Sequence, residues 1–284
     1  QTSRISFLVL DAAAKIDTSL NITVRVHDGL DPALFSAAVA CLIRYKNGWP
    51  RFSGDKALVE GFMRNGFSAE LARRRIAVGC NWMSLPGLEY TMNDLVKVNM
   101  AKVFEVAYDE LQASGAAPST ELLWRGFERH LGIAVHTAAG IRHHLKYQKY
   151  NEPELLLNLL SHGPLEKGRD ASDGGAQYYN LSIDGAGLAV VADSFAALEQ
   201  RIEREGRLTW EEVARHLQQD FEGEGGVAVR KLLQSSPRYG QENSLGESWA
   251  LRVKDAFVSA VRRETEPGRV FIPGFFSWAN TVGF

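Results

Sequence analysis

The sequence predicts an α/β fold with parallel strand pairing. Three observations carry this. Short β-branched or apolar runs read as strands at residues 22–27, 74–80, 177–183 and 270–277. Longer segments with helical periodicity lie between them, and there is neither an internal repeat nor a low-complexity linker. Strands that alternate with helices are joined by crossovers, which favour parallel neighbours. With 284 residues, 45% hydrophobic and 23% charged, the chain can bury a sizeable core in one large domain or two closely joined ones.

Residues 22–27 alternate and are β-branched, so they form the first strand. Asp31-Pro32 then opens a helix running to residue 43, with proline at its first position. After the Gly48-Trp49-Pro50 loop, Asp55 caps a helix that stops at Asn65-Gly66. Ser68 begins a short helix leading into the strand that ends at Cys80, and residues 83–87 form a turn. Residues 94–112 have the pattern of one long amphipathic helix, with Asp94 as a possible cap. Further helices are predicted at 120–130, 138–150 and 153–160, and a Gly/Asp-rich loop at 167–175. The strand at 177–183 is followed by helices at 194–205, 209–220, 225–234 and 246–263, and by the last strand at 270–277.

Composition excludes some classes of function. A net charge of -2 gives no electrostatic basis for binding nucleic acid or an anionic membrane. No apolar run approaches the roughly 20 residues of a membrane span, and the first ten residues lack the pattern of a secretory signal. Two cysteines, Cys41 and Cys80, cannot make a disulfide framework and suit a reducing, cytoplasmic setting. The chain starts at Gln1 without Met and ends on an apolar segment, as expected of a piece of a longer protein.

The chemistry centres on Cys80. A buried-strand pattern, Arg74 to Val78, runs into Gly79-Cys80-Asn81-Trp82 and a turn, holding a sulfur on backbone among Val78, Trp82, Met83 and Leu85. Shielded apolar surroundings favour radical over thiolate chemistry, because a thiyl is neutral and needs no electropositive cradle. The same pattern also fits a small buried hydrophobe. Glu89 and Asp94 follow the loop as candidate carboxylates, and Tyr178, Tyr179 and Asn180 lie on a strand where alternation turns one tyrosine inward. His143-His144 point in different directions on a helix, a poor metal pair, and Cys41 reads as core. Gly185-Ala186-Gly187 is too short for a phosphate loop.

An ordered set of motifs now becomes informative. Gly66-Phe67-Ser68-Ala69-Glu70-Leu71-Ala72-Arg73 leads to Gly79-Cys80. Glu166-Lys167-Gly168-Arg169-Asp170 is followed by Gly174-Gly175-Ala176, then by Val191-Ala192-Asp193-Ser194-Phe195-Ala196-Ala197, Phe221-Glu222-Gly223 and Pro237-Arg238-Tyr239-Gly240. With these the chain resembles the glycyl radical enzymes of the pyruvate formate-lyase superfamily. The resemblance implies that residues 1–284 are the C-terminal half of a ten-stranded α/β barrel, with the cysteine on a loop inside it. No Arg-Val-Ser-Gly-Tyr-like segment is present, so the glycine-radical domain would lie outside this chain, which alone would be inactive. It further implies a relay in which a glycyl radical converts Cys80 to a thiyl that abstracts hydrogen from a small organic substrate. The radical would be installed by an S-adenosylmethionine/iron–sulfur activating enzyme, leaving this chain with no metal or cofactor of its own. The full-length protein would be a cytoplasmic homodimer.

Two departures from the family pattern bear on the reaction. Eliminating members carry a glutamate two residues after the cysteine, and here that position is Trp82; acyl-cleaving members have two adjacent cysteines, and here Gly79 precedes Cys80. The expectation is therefore carbon–carbon cleavage or formation of a decarboxylase-like or fumarate-adding-like kind. Alternatives are a pyruvate formate-lyase-like acyltransferase, a cysteine nucleophile with a nearby histidine, and a non-catalytic paralogue acting as a binding subunit. Trp82, Asn81, Tyr178 and Tyr179 are the candidate substrate contacts.

Overall fold

The computed structural model describes residues 2–16, 20–46, 48–78, 82–266 and 270–276, without the side chains of residues 93, 94 and 144–146. Helix α1 (Arg4–Ala13) is a helix that the sequence reading does not anticipate, and strand β1 (Thr23–Val26) follows it. Helix α2 (Pro32–Tyr45) starts where expected: the Asp31 carboxylate accepts the Ala33 N–H at 2.8 Å, and Pro32 sits where no N–H is needed. Strand β2 (Arg51–Gly54) has no alternating pattern to announce it, yet it pairs in parallel with β1. Helix α3 (Asp55–Arg64) and helix α4 (Ala69–Arg74) come next, the latter capped by Ser68 Oγ accepting the Leu71 N–H at 3.2 Å. Strands β3 (Ile76–Val78) and β4 (Trp82–Ser84) form an antiparallel hairpin with Val78 opposite Trp82. Met83 and Ser84 therefore belong to a strand, and the turn falls at residues 86–88.

The expected long helix from residue 94 is replaced by strand β5 (Glu89–Asn99) and helix α5 (Met100–Ala113). Asp94 is mid-strand, and the helix cap is Asn99, whose side chain accepts the Lys102 N–H at 3.0 Å. The run Leu95-Val96-Lys97-Val98 explains the error, since β-branched residues flanking a lysine prefer the pleated backbone to a helical turn. Helices α6 (Thr120–Ala139), α7 (Ile141–Asn151), α8 (Leu155–Leu160) and α9 (Pro164–Lys167) follow. A 3-10 turn at Ala171–Asp173 leads to strand β6 (Tyr178–Ala186). Helix α10 (Leu188–Leu198) begins earlier than the residue 194 expected and continues into a π-helical turn, Glu199–Arg204. Helices α11 (Trp210–Gln218), α12 (Gly226–Gln234) and α13 (Leu245–Arg263) precede strand β7 (Phe271–Phe276), parallel to β6 with Leu181 opposite Phe271.

The chain divides into two compact units, residues 1–91 with 153–179 and residues 92–152 with 180–284. In the second, α5, α6, α10 and α13 pack with the sheet β5-β6-β7 around fully buried Leu123, Phe127, Ile183, Phe195, Val253 and Phe257. Phe195 stacks on Trp249 at 4.4 Å and stands edge-on to Phe104 and Phe127, the arrangements that aromatic quadrupoles favour. Gly187, in the left-handed region at φ 93°, brings β6 against α5: a Cβ there would meet the Ala101 backbone nitrogen at 3.3 Å. The Gly-Ala-Gly run thus serves close packing.

In the first unit, Leu10, Leu34 and Ala38 form a small core against Val24 and Phe52. The loop between α9 and β6 is organised by Asp170. One carboxylate oxygen accepts the Ser172 N–H at 2.9 Å and its hydroxyl at 2.6 Å; the other accepts the Glu154 N–H at 3.0 Å and the Asn158 amide at 2.7 Å. Burial works to raise the Asp170 pKa, but these four donors outweigh it and hold the carboxyl below the usual aspartate value. Gly175 packs so tightly here that a Cβ would lie 2.2 Å from the Arg169 carbonyl oxygen and 2.7 Å from that of Asp170.

A carboxyl whose folded pKa is depressed stabilises the fold fully above its unfolded value, about 4, and loses that contribution as pH falls through the folded value. Urea denaturation across pH should therefore show Asp170→Asn less stable at neutral pH, with a flatter decline below about pH 4. An acid limb identical to wild type would contradict the assignment. Gly175→Ala should cost about 3 kcal/mol or more in the same measurement, since backbone must move to admit the methyl.

Candidate active site

Gly79, Cys80 and Asn81 lie outside the described residues, and what the structure defines is the frame around them. That frame is built on Arg75, directly before β3 and fully buried. Its guanidinium makes a bidentate pair with Glu89, Nη1 to Oε2 at 2.9 Å and Nη2 to Oε1 at 2.6 Å. Nη1 also donates to the Met83 carbonyl on β4 at 3.3 Å. Phe62 and Phe67 lay their rings against the guanidinium, with centroids 3.8 and 4.3 Å from Cζ. A planar, weakly hydrated cation tolerates such a site far better than an ammonium.

Glu89 is equally engaged. Besides Arg75 it accepts the Leu85 N–H at 3.2 Å and the Thr91 hydroxyl at 2.9 Å, while the Thr91 and Ser84 hydroxyls lie 2.6 Å apart. One ion pair therefore links the residue entering β3, the carbonyl on β4 and the turn beyond it. From β1, Arg25 donates to the carbonyls of Arg73 and Arg75 at 3.1 and 2.5 Å and pairs with Asp55 at 2.5 Å. A cation at the last carbonyls of α4 also complements the helix dipole. The hairpin that brackets Cys80 is held at its base from both sides. Glu89, a candidate base from sequence, has its acceptor sites filled and serves the frame instead.

The other candidates fall in different places. Trp82 opens β4, half-buried, and its indole N–H is screened from solvent with no acceptor among the described residues. Tyr178 stands 6.0 Å from Phe67, joining the aromatic layer that flanks Arg75. The Tyr179 hydroxyl donates to the Ala171 carbonyl at 2.6 Å, its ring lies 5.9 Å from Tyr90, and burial raises its pKa. Tyr90 in turn donates to Glu154 at 2.9 Å. Tyr179 thus ties the Asp170 loop to β6. Asn180 is buried, His143 is exposed, and Cys41 is half-buried on α2, not in the core as expected. Among the described residues no three His, Cys, Asp or Glu side chains gather as a metal site, and no helix is long and apolar enough to cross a membrane. Sequence reading missed Arg75, although a third consecutive arginine at the mouth of an apolar strand, followed by a lone glutamate, was a usable signal.

Known proteins resemble this chain along almost its whole length. (2S)-3-sulfopropanediol dehydratase of Klebsiella oxytoca is 24% identical over 99% of this chain and 36% of its own length. The B12-independent glycerol dehydratase of Clostridium butyricum superposes with a TM-score of 0.84 at 21% identity, covering 96% of this chain and 36% of that one. A glycyl radical enzyme from Archaeoglobus fulgidus superposes at 0.82 with 22% identity, over 96% and 36%. At these identities the superpositions speak for the fold, and the chain spans about a third of the length of these relatives. Two of these, the sulfopropanediol and glycerol enzymes, are dehydratases, which overturns the decarboxylase-like or fumarate-adding-like expectation and gives no support to a transferase. That expectation rested on Trp82 replacing a glutamate, but one sequence position does not fix where a proton-transferring group sits in space. The pyruvate formate lyase-like family model matches residues 1–284 throughout, and the chain belongs to that family.

Proposed function

We propose that this chain is the cysteine-bearing part of a glycyl radical eliminase that removes water from a small hydroxylated substrate. The observation that carries this is the similarity to a dehydratase over 99% of the chain. The unpaired electron would be supplied by a glycyl radical on another segment, installed by an S-adenosylmethionine/iron–sulfur activating enzyme. As a thiyl, the Cys80 sulfur takes a hydrogen atom from the carbon bearing one hydroxyl and becomes a thiol. The neighbouring hydroxyl then leaves as water: the retained hydroxyl gives up a proton as the departing oxygen gains one. The product radical takes the hydrogen atom back from Cys80, so the sulfur ends as it began. Proton transfer needs a positioned acid–base group. Glu89, locked to Arg75, is not free for that role. The indole N–H of Trp82, without an acceptor among the described residues, is the donor for a substrate oxygen.

The test uses the full-length protein, activated anaerobically and offered glycerol, propane-1,2-diol and isethionate. An aldehyde product from a diol, with Cys80→Ala retaining the glycyl doublet in the electron paramagnetic resonance spectrum but losing turnover, is the expected result. Turnover retained by Cys80→Ala would end the assignment.

The frame makes a separate prediction. Glu89→Gln leaves a buried guanidinium without its charge partner and should cost about 3–5 kcal/mol of stability, read from denaturant midpoints. Replacing both members, Arg75→Met with Glu89→Leu, should be less damaging than either single change, because no lone charge remains buried. Strictly additive losses would show that the two side chains do not act as a pair.

A further inference from the structure

The hairpin of β3 and β4 bears on what the substrate carries beyond its reacting carbons, granted the reading of Cys80 as the residue that takes the hydrogen atom. In the antiparallel ladder Val78 is directly opposite Trp82, and Ile76 is opposite Ser84. Side chains directly opposite one another share a face of the sheet, as do residues two apart on a strand. Ile76, Val78 and Trp82 therefore form one apolar face, and Ala77 and Met83 lie on the other. Gly79-Cys80-Asn81 joins the two strands, so Val78 and Trp82 each stand two residues from the sulfur along the chain.

Access and charge both distinguish this face. Met83 on the opposite face is buried, whereas Ile76 is 50% exposed and Val78 and Trp82 are half-buried. Residues 76–84 carry no charged side chain. The ion pair at the hairpin base, Arg75 with Glu89, is neutralised internally at zero exposure, and the Ser84 hydroxyl lies 2.6 Å from that of Thr91. A sulfonate or carboxylate therefore finds no cation on the hairpin, while an alkyl or aryl group gains by leaving water for Ile76, Val78 and the Trp82 ring. We infer that these three side chains set specificity, and that the substrate is an uncharged vicinal diol bearing an alkyl or aryl substituent.

Two probes test this on the full-length protein before activation: pentane-1,2-diol and pentane-1,2,5-triol, which share a carbon chain and differ in one terminal hydroxyl. Dissociation constants from saturation-transfer NMR need no turnover. The diol should bind about tenfold or more tightly than the triol, whose terminal hydroxyl would leave water without gaining a partner. Trp82→Ala should bring the two affinities close together by weakening the diol alone. Ile76→Asn, a change at a half-exposed position that the fold tolerates, should narrow the gap in the same way. Equal affinities, tighter binding of the triol, no binding of either probe, or a preference unchanged in both variants would each overturn the inference. A preference that stands in a protein that dehydrates neither probe after activation would support the specificity and count against the dehydratase reading alone.

Discussion

The buried pair of Arg75 and Glu89 is the constraint on which the candidate site depends. Two opposite charges at zero exposure are tolerable only when they are closely paired, and the bidentate contact meets that need although Arg75 Nε has no partner among the described residues. Here the commitments run to both strands of the hairpin and to the turn beyond it, so satisfying the charges and fixing the hairpin are one event. The rings of Phe62 and Phe67 close the site to water and supply a face to the cation. This accounts for so short a hairpin, three paired residues on each strand, holding a defined register. Short ladders alone are weak, and a bidentate ion pair at the base gives this one a defined register.

A second organising centre stands in the same unit. Asp170 gathers four donors, and Gly175 lets two backbone stretches meet where a side chain would separate them. The Glu-Lys-Gly-x-Asp and Gly-Gly-Ala motifs are thus a structural loop, fastened to β6 through Tyr179. Their place in the family pattern follows from geometry that few other residues could adopt. In the proposed function, this loop and the Arg75 frame supply rigidity, while the reacting sulfur belongs to Cys80.

Much of the architecture was legible from residues. The caps at Asp31 and Ser68 set helix starts because short polar side chains meet unpaired N–H groups there. The helix expected from residue 94 failed because its apolar spacing fits both periods, and only tertiary pairing of β5 decides between them. Strand β2 was invisible because Arg-Phe-Ser-Gly owes its strand form to pairing with β1, not to its own propensity. Arg75 was missed since a charged side chain reads as surface until its partner, fourteen positions away, is brought beside it. The reaction class was misread from Trp82, a local substitution given more weight than the similarity of the whole chain.

The most direct test of the central claim follows a hydrogen atom. Full-length protein, activated and supplied with propane-1,2-diol carrying deuterium on its terminal hydroxylated carbon, should give propanal in which deuterium has moved to the adjacent carbon, since Cys80 both takes the atom and returns it. Product with ordinary hydrogen at that carbon would contradict the account.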